Sequence, residues 1–188
     1  MEIRKIERPD MEAAVNLYAL CMAENNDIKA AYKLRRDADR PELAAALALD
    51  RGPLLYRAAA YGTSLGAWEA GDLVGIHVAF WYKVVREHDL ELFDGLFLDK
   101  SGNLGYGQAA HDGLSGLCGT VLYSLSLCVK PDKRRDRVAT RLAETSVMRL
   151  KPDWVAADTS VQEALPIYER LGRAKLLPGG GLYAVECP

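Results

Sequence analysis

Hydrophobic periodicity divides the chain into short, regular pieces. Glu2–Glu7 is short and strand-like. After Pro9-Asp10, Met11, Ala14, Val15, Leu17, Tyr18 and Cys21 fall at helical spacing, and Asn25-Asn26-Asp27 ends that run. Pro41 suits the first turn of a second helix through Leu43, Ala46, Leu47 and Leu49, closed by Gly52-Pro53. Ser64–Glu69 and Leu73–Trp81 read as strands around an Ala70-Gly71-Asp72 turn, which predicts a hairpin. Further on, the pattern predicts a strand at Thr120–Val129, a helix at Val138–Lys151 and a strand at Trp154–Asp158. A helix at Val161–Leu171 then stops at Gly172, and strands follow near Ala174–Leu177 and Gly181–Glu186. Helices interleaved with strands in this order predict an α/β fold, a mixed sheet flanked by helices.

Residues 83–119 interrupt the pattern. Glycine recurs at 95, 102, 105, 107, 113, 116 and 119, beside the acidic run Arg86 to Asp94. So long a glycine-rich stretch before the central strand reads as an excursion or lid loop, and the acidic run as a solvated face. Asp99, Ser101 and Asn103 look like the start of a calcium loop. Leu104 and Ala110 occupy positions that such a loop fills with Gly and Glu, so a simple turn is expected instead.

Composition narrows the class. The chain has 188 residues, 49% hydrophobic and 27% charged, with net charge −2. That suits a single domain over 1–188 and excludes a global basic field for nucleic acid or an anionic membrane. No run is long and apolar enough to span a bilayer, and the N-terminal MEIRKIERPD lacks a signal-like apolar stretch. Cys21, Cys118, Cys128 and Cys187 show no metal-ligand spacing, so no metal is expected and the thiols are read as reduced in a cytoplasmic protein.

The basic turn is therefore a local feature. Lys133, Arg134, Arg135 and Arg137 sit between the strand and the mouth of the Val138 helix, where unpaired N–H groups and the helix dipole attract anions. Asp136 stands where a carboxylate would cap that helix. Along the preceding strand, period two puts Ser124, Ser126 and Cys128 on one face and Leu125, Leu127 and Val129 on the other. The polar stripe reads equally as a ligand slot or as a surface on which a helix packs closely.

Strand, Pro131, Arg134, turn and then Val138-Ala139 resembles the acyl-CoA pyrophosphate loop, Q/R-x-x-G-x-G/A, of the GNAT superfamily of N-acyltransferases. "EALPIYERLG", Glu163 to Gly172, resembles the family's later helix, A-x-x-L/I-Y-E-K/R-x-G. The likeness is clear from about Thr120 onward. It departs at Arg135 and Arg137, where the loop carries glycine, and at Val161, where an Asn often opens the tyrosine helix.

The resemblance implies a GNAT-like fold and transfer of an acetyl or other acyl group from acyl-CoA, the co-substrate, to a small-molecule amine. It implies Leu127, Cys128 and Val129 at the thioester and Arg134, Arg135, Asp136, Arg137, Val138, Ala139 and Thr140 at the pyrophosphate. Lys130 or Lys133 would meet outlying phosphates. Tyr168 would be the acid that protonates the leaving thiolate, a half-buried structural tyrosine being the alternative. Trp81, Ser124 and Ser126 would line the substrate side. Candidates for a general base are Glu87, His88, Asp89, Glu91, His111 and Asp112, or a water held by Ser124 or Ser126. His77, alternating with apolar neighbours, reads as a structural histidine or as lining the acceptor side. An acyl-carrier-protein donor, a non-catalytic binding module and a homodimer remain open alternatives.

Overall fold

The computed structural model describes residues 1–25, 40–99, 101–158, 164–178 and 181–188. Asn26, Asp27, Val161 and Glu163 lie outside the described residues. The strands are β1 (Glu2–Lys5), β2 (Leu65–Glu69), β3 (Asp72–Trp81), β4 (Val121–Val129), β5 (Trp154–Asp158), β6 (Arg173–Leu176) and β7 (Leu182–Glu186). Among the described residues they form one seven-stranded sheet in the order β1-β2-β3-β4-β5-β7-β6. Every pairing is antiparallel except that of β4 with β5.

Helices cover both faces. On one lie α1 (Met11–Met22) and α2 (Arg40–Ala60), together with α3 (Tyr82–His88), α4 (Leu90–Phe97) and α5 (Gln108–Ser115). They share a core with Ile76, Val78, Phe80 and Tyr123. On the other lie α6 (Val138–Leu150) and α7 (Leu165–Glu169), packed on Ala79, Leu122, Val155 and Val185, and on Leu65 and Val74. α6 sits close because a Cβ on Gly75 would fall 2.7 Å from Val138 Cγ1. The turn after α7 reaches Gly172, where a Cβ would fall 1.8 Å from the Glu186 carbonyl oxygen, so β7 and this turn touch through bare backbone.

Two expectations change. α2 does not stop at Gly52-Pro53 but runs on to Ala60 with Pro53 inside it. An interior proline costs about 3 kcal/mol. The following turns bury Leu55, Ala58 and Ala59 against the core, which offsets that cost.

The 83–119 stretch is no irregular loop but carries three short helices. Its apolar residues find one centre: Tyr82, Phe93, Phe97 and His111 pack ring to ring with Phe80 and Tyr123. Asp89, expected in solvent, is only 9% exposed. It caps α4 by accepting from Leu92 N and is held by Arg57 and Tyr61. Asp99 folds a tight turn instead of holding calcium, accepting from the N–H groups of Ser101 and Asn103 beside a Leu98–Leu104 bridge.

Candidate functional site: a cleft between diverging strands

β5 stops well before β4 does. Their parallel pairing covers Val121–Ser124 against Trp154–Ala157, while β4 runs on alone along that edge to Val129. Lys130 N donates to Val74 O, on the β3 side. Strand alternation therefore turns the Leu127 and Val129 N–H groups to the other edge, the side that β5 has left. Among the described residues no strand pairs with β4 along that edge beyond Ser124, and this open edge, with Ser124 at its apex, is the wedge of the candidate site.

A bulge lies at that apex. Val78 faces Ser126 and Ala79 faces Ser124, so Leu125 is an extra residue on β4. The extra residue resets the alternation, and the expected stripe of Ser124, Ser126 and Cys128 is split. Ser124 faces α6 and α7, where it meets His77 and Tyr168. Ser126 and Cys128 face α1, hydrogen-bonded to each other at 3.0 Å and buried. Cys128 belongs to the α1-side core, whereas Leu127 packs toward α6.

The basic turn lies at the wide end. After a 3-10 turn at Pro131–Lys133, Arg135 has φ +78° and Arg137 φ +59°. Both arginines thus take the left-handed backbone that glycine favours, at a cost of roughly 1–2 kcal/mol each. Arg137, not Asp136, is the N-cap residue of α6, and no side chain caps that helix. The anticipated carboxylate cap does not form, and the first-turn N–H groups of Val138, Ala139 and Thr140 face the turn without one. Arg135, Asp136 and Arg137 are exposed. Arg134 pairs with Glu24 at 2.6 Å and Lys133 with Glu69, so two of the basic residues are already neutralised.

Tyr168 closes the apex. It is 4% exposed, and its hydroxyl lies 2.6 Å from Ser124 Oγ. Burial pushes the phenol up to about 12, against the opposing pull of the Ser124 hydrogen bond. Ser124 Oγ is also 2.8 Å from His77 Nε2, and His77 Nδ1 is 2.7 Å from Ser146 Oγ on α6. His77 is 1% exposed, and burial lowers its pKa to about 4, so the ring is neutral. Trp81 pairs with Leu122 and packs half-buried in the same cluster as Tyr168.

The proposed bases of the excursion are engaged elsewhere. His111 bridges the Tyr82 hydroxyl and Gly105 O. Asp89 and Glu91 hold Arg57, and Asp112 lies 3.5 Å from Arg86. His88 is exposed beside Glu87. Two groups at the apex were not singled out from sequence. Asp158 follows the last β4–β5 pair and accepts a hydrogen bond from the Tyr106 hydroxyl. Burial and that carboxylate push the Tyr106 phenol upward. Tyr106 lies 52 residues away in a glycine-rich turn, so no spacing rule connects the two.

A mixed sheet whose fourth strand outruns its parallel partner, with a turn and a helix mouth at the open end, matches the fold of solved GNAT acetyltransferases. Three of the similar structures illustrate the likeness. Arylalkylamine N-acetyltransferase 2 from Aedes aegypti has a TM-score of 0.61 at 12% identity, covering 100% of this chain and 97% of that one. PaiA N-acetyltransferase from Thermoplasma acidophilum, in complex with coenzyme A, has a TM-score of 0.55 at 12% identity, with 98% of each chain covered. A GNAT family acetyltransferase from Brucella melitensis, in complex with acetyl-CoA, has a TM-score of 0.53 at 14% identity, covering 98% and 86%. No family model and no curated protein matches the sequence.

Proposed function

We propose that this chain, as one domain over residues 1–188, is an N-acyltransferase that moves an acetyl or other acyl group from acyl-CoA to a primary amine of a small molecule. The observation that carries the reading is the Tyr168 hydroxyl at the apex of a wedge whose wide end opens on a helix mouth uncapped by any side chain. The pyrophosphate would sit against Val138, Ala139 and Thr140, with Arg135 and Arg137 free to add charge-assisted contacts. The Leu127 and Val129 N–H groups would receive the thioester oxygen as it becomes an oxyanion. The amine nitrogen attacks the carbonyl carbon, the C–S bond breaks, and Tyr168, protonated at neutral pH, gives its proton to the departing sulfur. The Asp158 carboxylate next to the apex suits an incoming ammonium group.

The test is a calorimetric titration with acetyl-CoA, free CoA and a longer acyl-CoA, then thiol release with a panel of amines. Tyr168→Phe should bind acyl-CoA as the wild type does and lose roughly 10²-fold or more in kcat. Absence of binding to all three would refute CoA dependence and leave a carrier-protein donor, whose acidic surface would suit Arg135 and Arg137, or a non-catalytic module.

A further inference from the structure

Ser146, His77, Ser124 and Tyr168 form one buried hydrogen-bonded row, with separations of 2.7, 2.8 and 2.6 Å. Each hydroxyl carries one proton, and a neutral imidazole carries one N–H and one acceptor nitrogen. Three arrangements keep all three bonds, and each leaves one hydroxyl proton unused. In the first, Ser146 donates to His77 Nδ1, His77 Nε2–H donates to Ser124, and Ser124 donates to Tyr168. In the second, every proton points the opposite way. In the third, His77 Nε2–H and the Tyr168 hydroxyl both donate to Ser124 Oγ, and the Ser124 proton is left over.

Burial of the two serines distinguishes them. Ser146 is 0% exposed, and among the described residues His77 Nδ1 is the only hydrogen-bond partner of its hydroxyl. The reversed arrangement strands the Ser146 proton in the core without an acceptor, which is costly. The third arrangement strands the proton of Ser124, buried and, among the described residues, bonded through its hydroxyl to His77 and Tyr168 alone. The forward arrangement satisfies Ser146 and leaves the unused proton on Tyr168, at the apex of the wedge.

We propose that His77 is a positioning residue: anchored by Ser146, its imidazole is fixed as the Nε2–H tautomer, so that Ser124 donates to the Tyr168 oxygen and the Tyr168 O–H is directed into the cleft. This rests on the reading of Tyr168 as the proton donor to the leaving thiolate. When the C–S bond breaks, the Tyr168 proton passes to sulfur and the phenolate keeps the hydrogen bond from Ser124. The row ends at Ser146 with no proton source behind it, so it orients Tyr168 and does not relay. Tyr168 regains its proton from the acceptor nitrogen, which must lose one as the amide forms.

The experiment is a long-range proton–nitrogen correlation spectrum of the ¹⁵N-histidine-labelled protein near pH 7, with the His77 signals assigned by their loss in His77→Gln. It is paired with steady-state kinetics of Ser146→Ala, a change on the far side of the imidazole from Tyr168. The expected wild-type result is the Nε2–H form. In Ser146→Ala the Nδ1–H form should become populated, and kcat should fall roughly tenfold while KM for acyl-CoA stays the same, part of the 10²–10⁴ that an acid contributes. An Nδ1–H tautomer in the wild type overturns the proposal. So does an unchanged kcat in a folded Ser146→Ala. If the variant fails to fold, the wild-type tautomer decides. If no amine is acylated by the wild type, the acyltransferase reading fails by itself, and the spectrum still decides the His77 tautomer.

Discussion

Replacing Arg135 and Arg137 by glycine should make the protein more stable, although it removes two residues from the most basic part of the chain. Both backbones are left-handed, at φ +78° and +59°. A Cβ in that region costs roughly 1–2 kcal/mol, which glycine does not incur. Against this, glycine gives the unfolded chain more freedom, worth about 0.4–1 kcal/mol per site. Arg137 is also the N-cap of α6, where glycine is among the favoured residues. Neither guanidinium makes an ion pair or hydrogen bond within the described residues, so no native contact is lost. The balance is a gain of about 0.5–1 kcal/mol per site, hence roughly 1–2 kcal/mol for the double variant. At this size that raises Tm by roughly 2–8 °C. Urea unfolding and a thermal melt in the same buffer measure it. The same double variant should bind acetyl-CoA several-fold more weakly, with a shallower salt dependence, because two cations have left the phosphate end of the cleft. A loss of stability in either single variant would refute the reasoning, since it would mean that the arginine side chains hold the turn and that the backbone conformation is not the costly part.

Other outcomes follow from single features. Between pH 6.5 and about 4 the unfolded chain takes a proton on His77 that the native state refuses, so stability should fall by about 3 kcal/mol as pH drops through that window. Urea unfolding against pH shows it, and His77→Gln should flatten that limb. Asp89→Ala removes the α4 cap, one of the two carboxylates on Arg57 and the acceptor of the Tyr61 hydroxyl, at a cost of about 2–3 kcal/mol by chemical denaturation. A change below 0.5 kcal/mol would mean that the excursion helices do not depend on it. Gly172→Ala drives a methyl into the Glu186 carbonyl, and the expected loss exceeds 3 kcal/mol or prevents folding; an unperturbed melt would show that α7 and β7 can move apart freely.

Much of the fold was legible because its signals are local. The β2–β3 hairpin, the β4 strand, the start of α6 and the β5 strand fall where period two, period 3.6 and turn residues put them. The α7 tyrosine helix and its Gly172 stop were likewise visible, although the residues from Thr159 to Glu163 are outside the description. The 83–119 stretch misled because its glycines were weighed above Leu92, Phe93 and Phe97, an apolar set at one- and four-residue spacing that becomes a helix face once Phe80 and Tyr123 lie beneath it.

The sequence by itself determined the order of elements, the basic turn at a helix mouth and a tyrosine on a later helix, since each depends on neighbours a few residues apart. Only the tertiary structure decided which of these residues meet. The bulge at Leu125 sends Ser124 and Ser126 to opposite faces, because one extra residue against β3 inverts a two-residue alternation. Packing, not propensity, carries α2 through Pro53, and the chain path from β4 into α6 puts Arg135 and Arg137 in glycine-like backbones. The row from Ser146 through His77 and Ser124 to Tyr168 joins residues 69, 47 and 44 positions apart, and burial alone makes its histidine neutral. Such long-range placement leaves no periodic trace in the chain, since it arises from how strands register and helices pack.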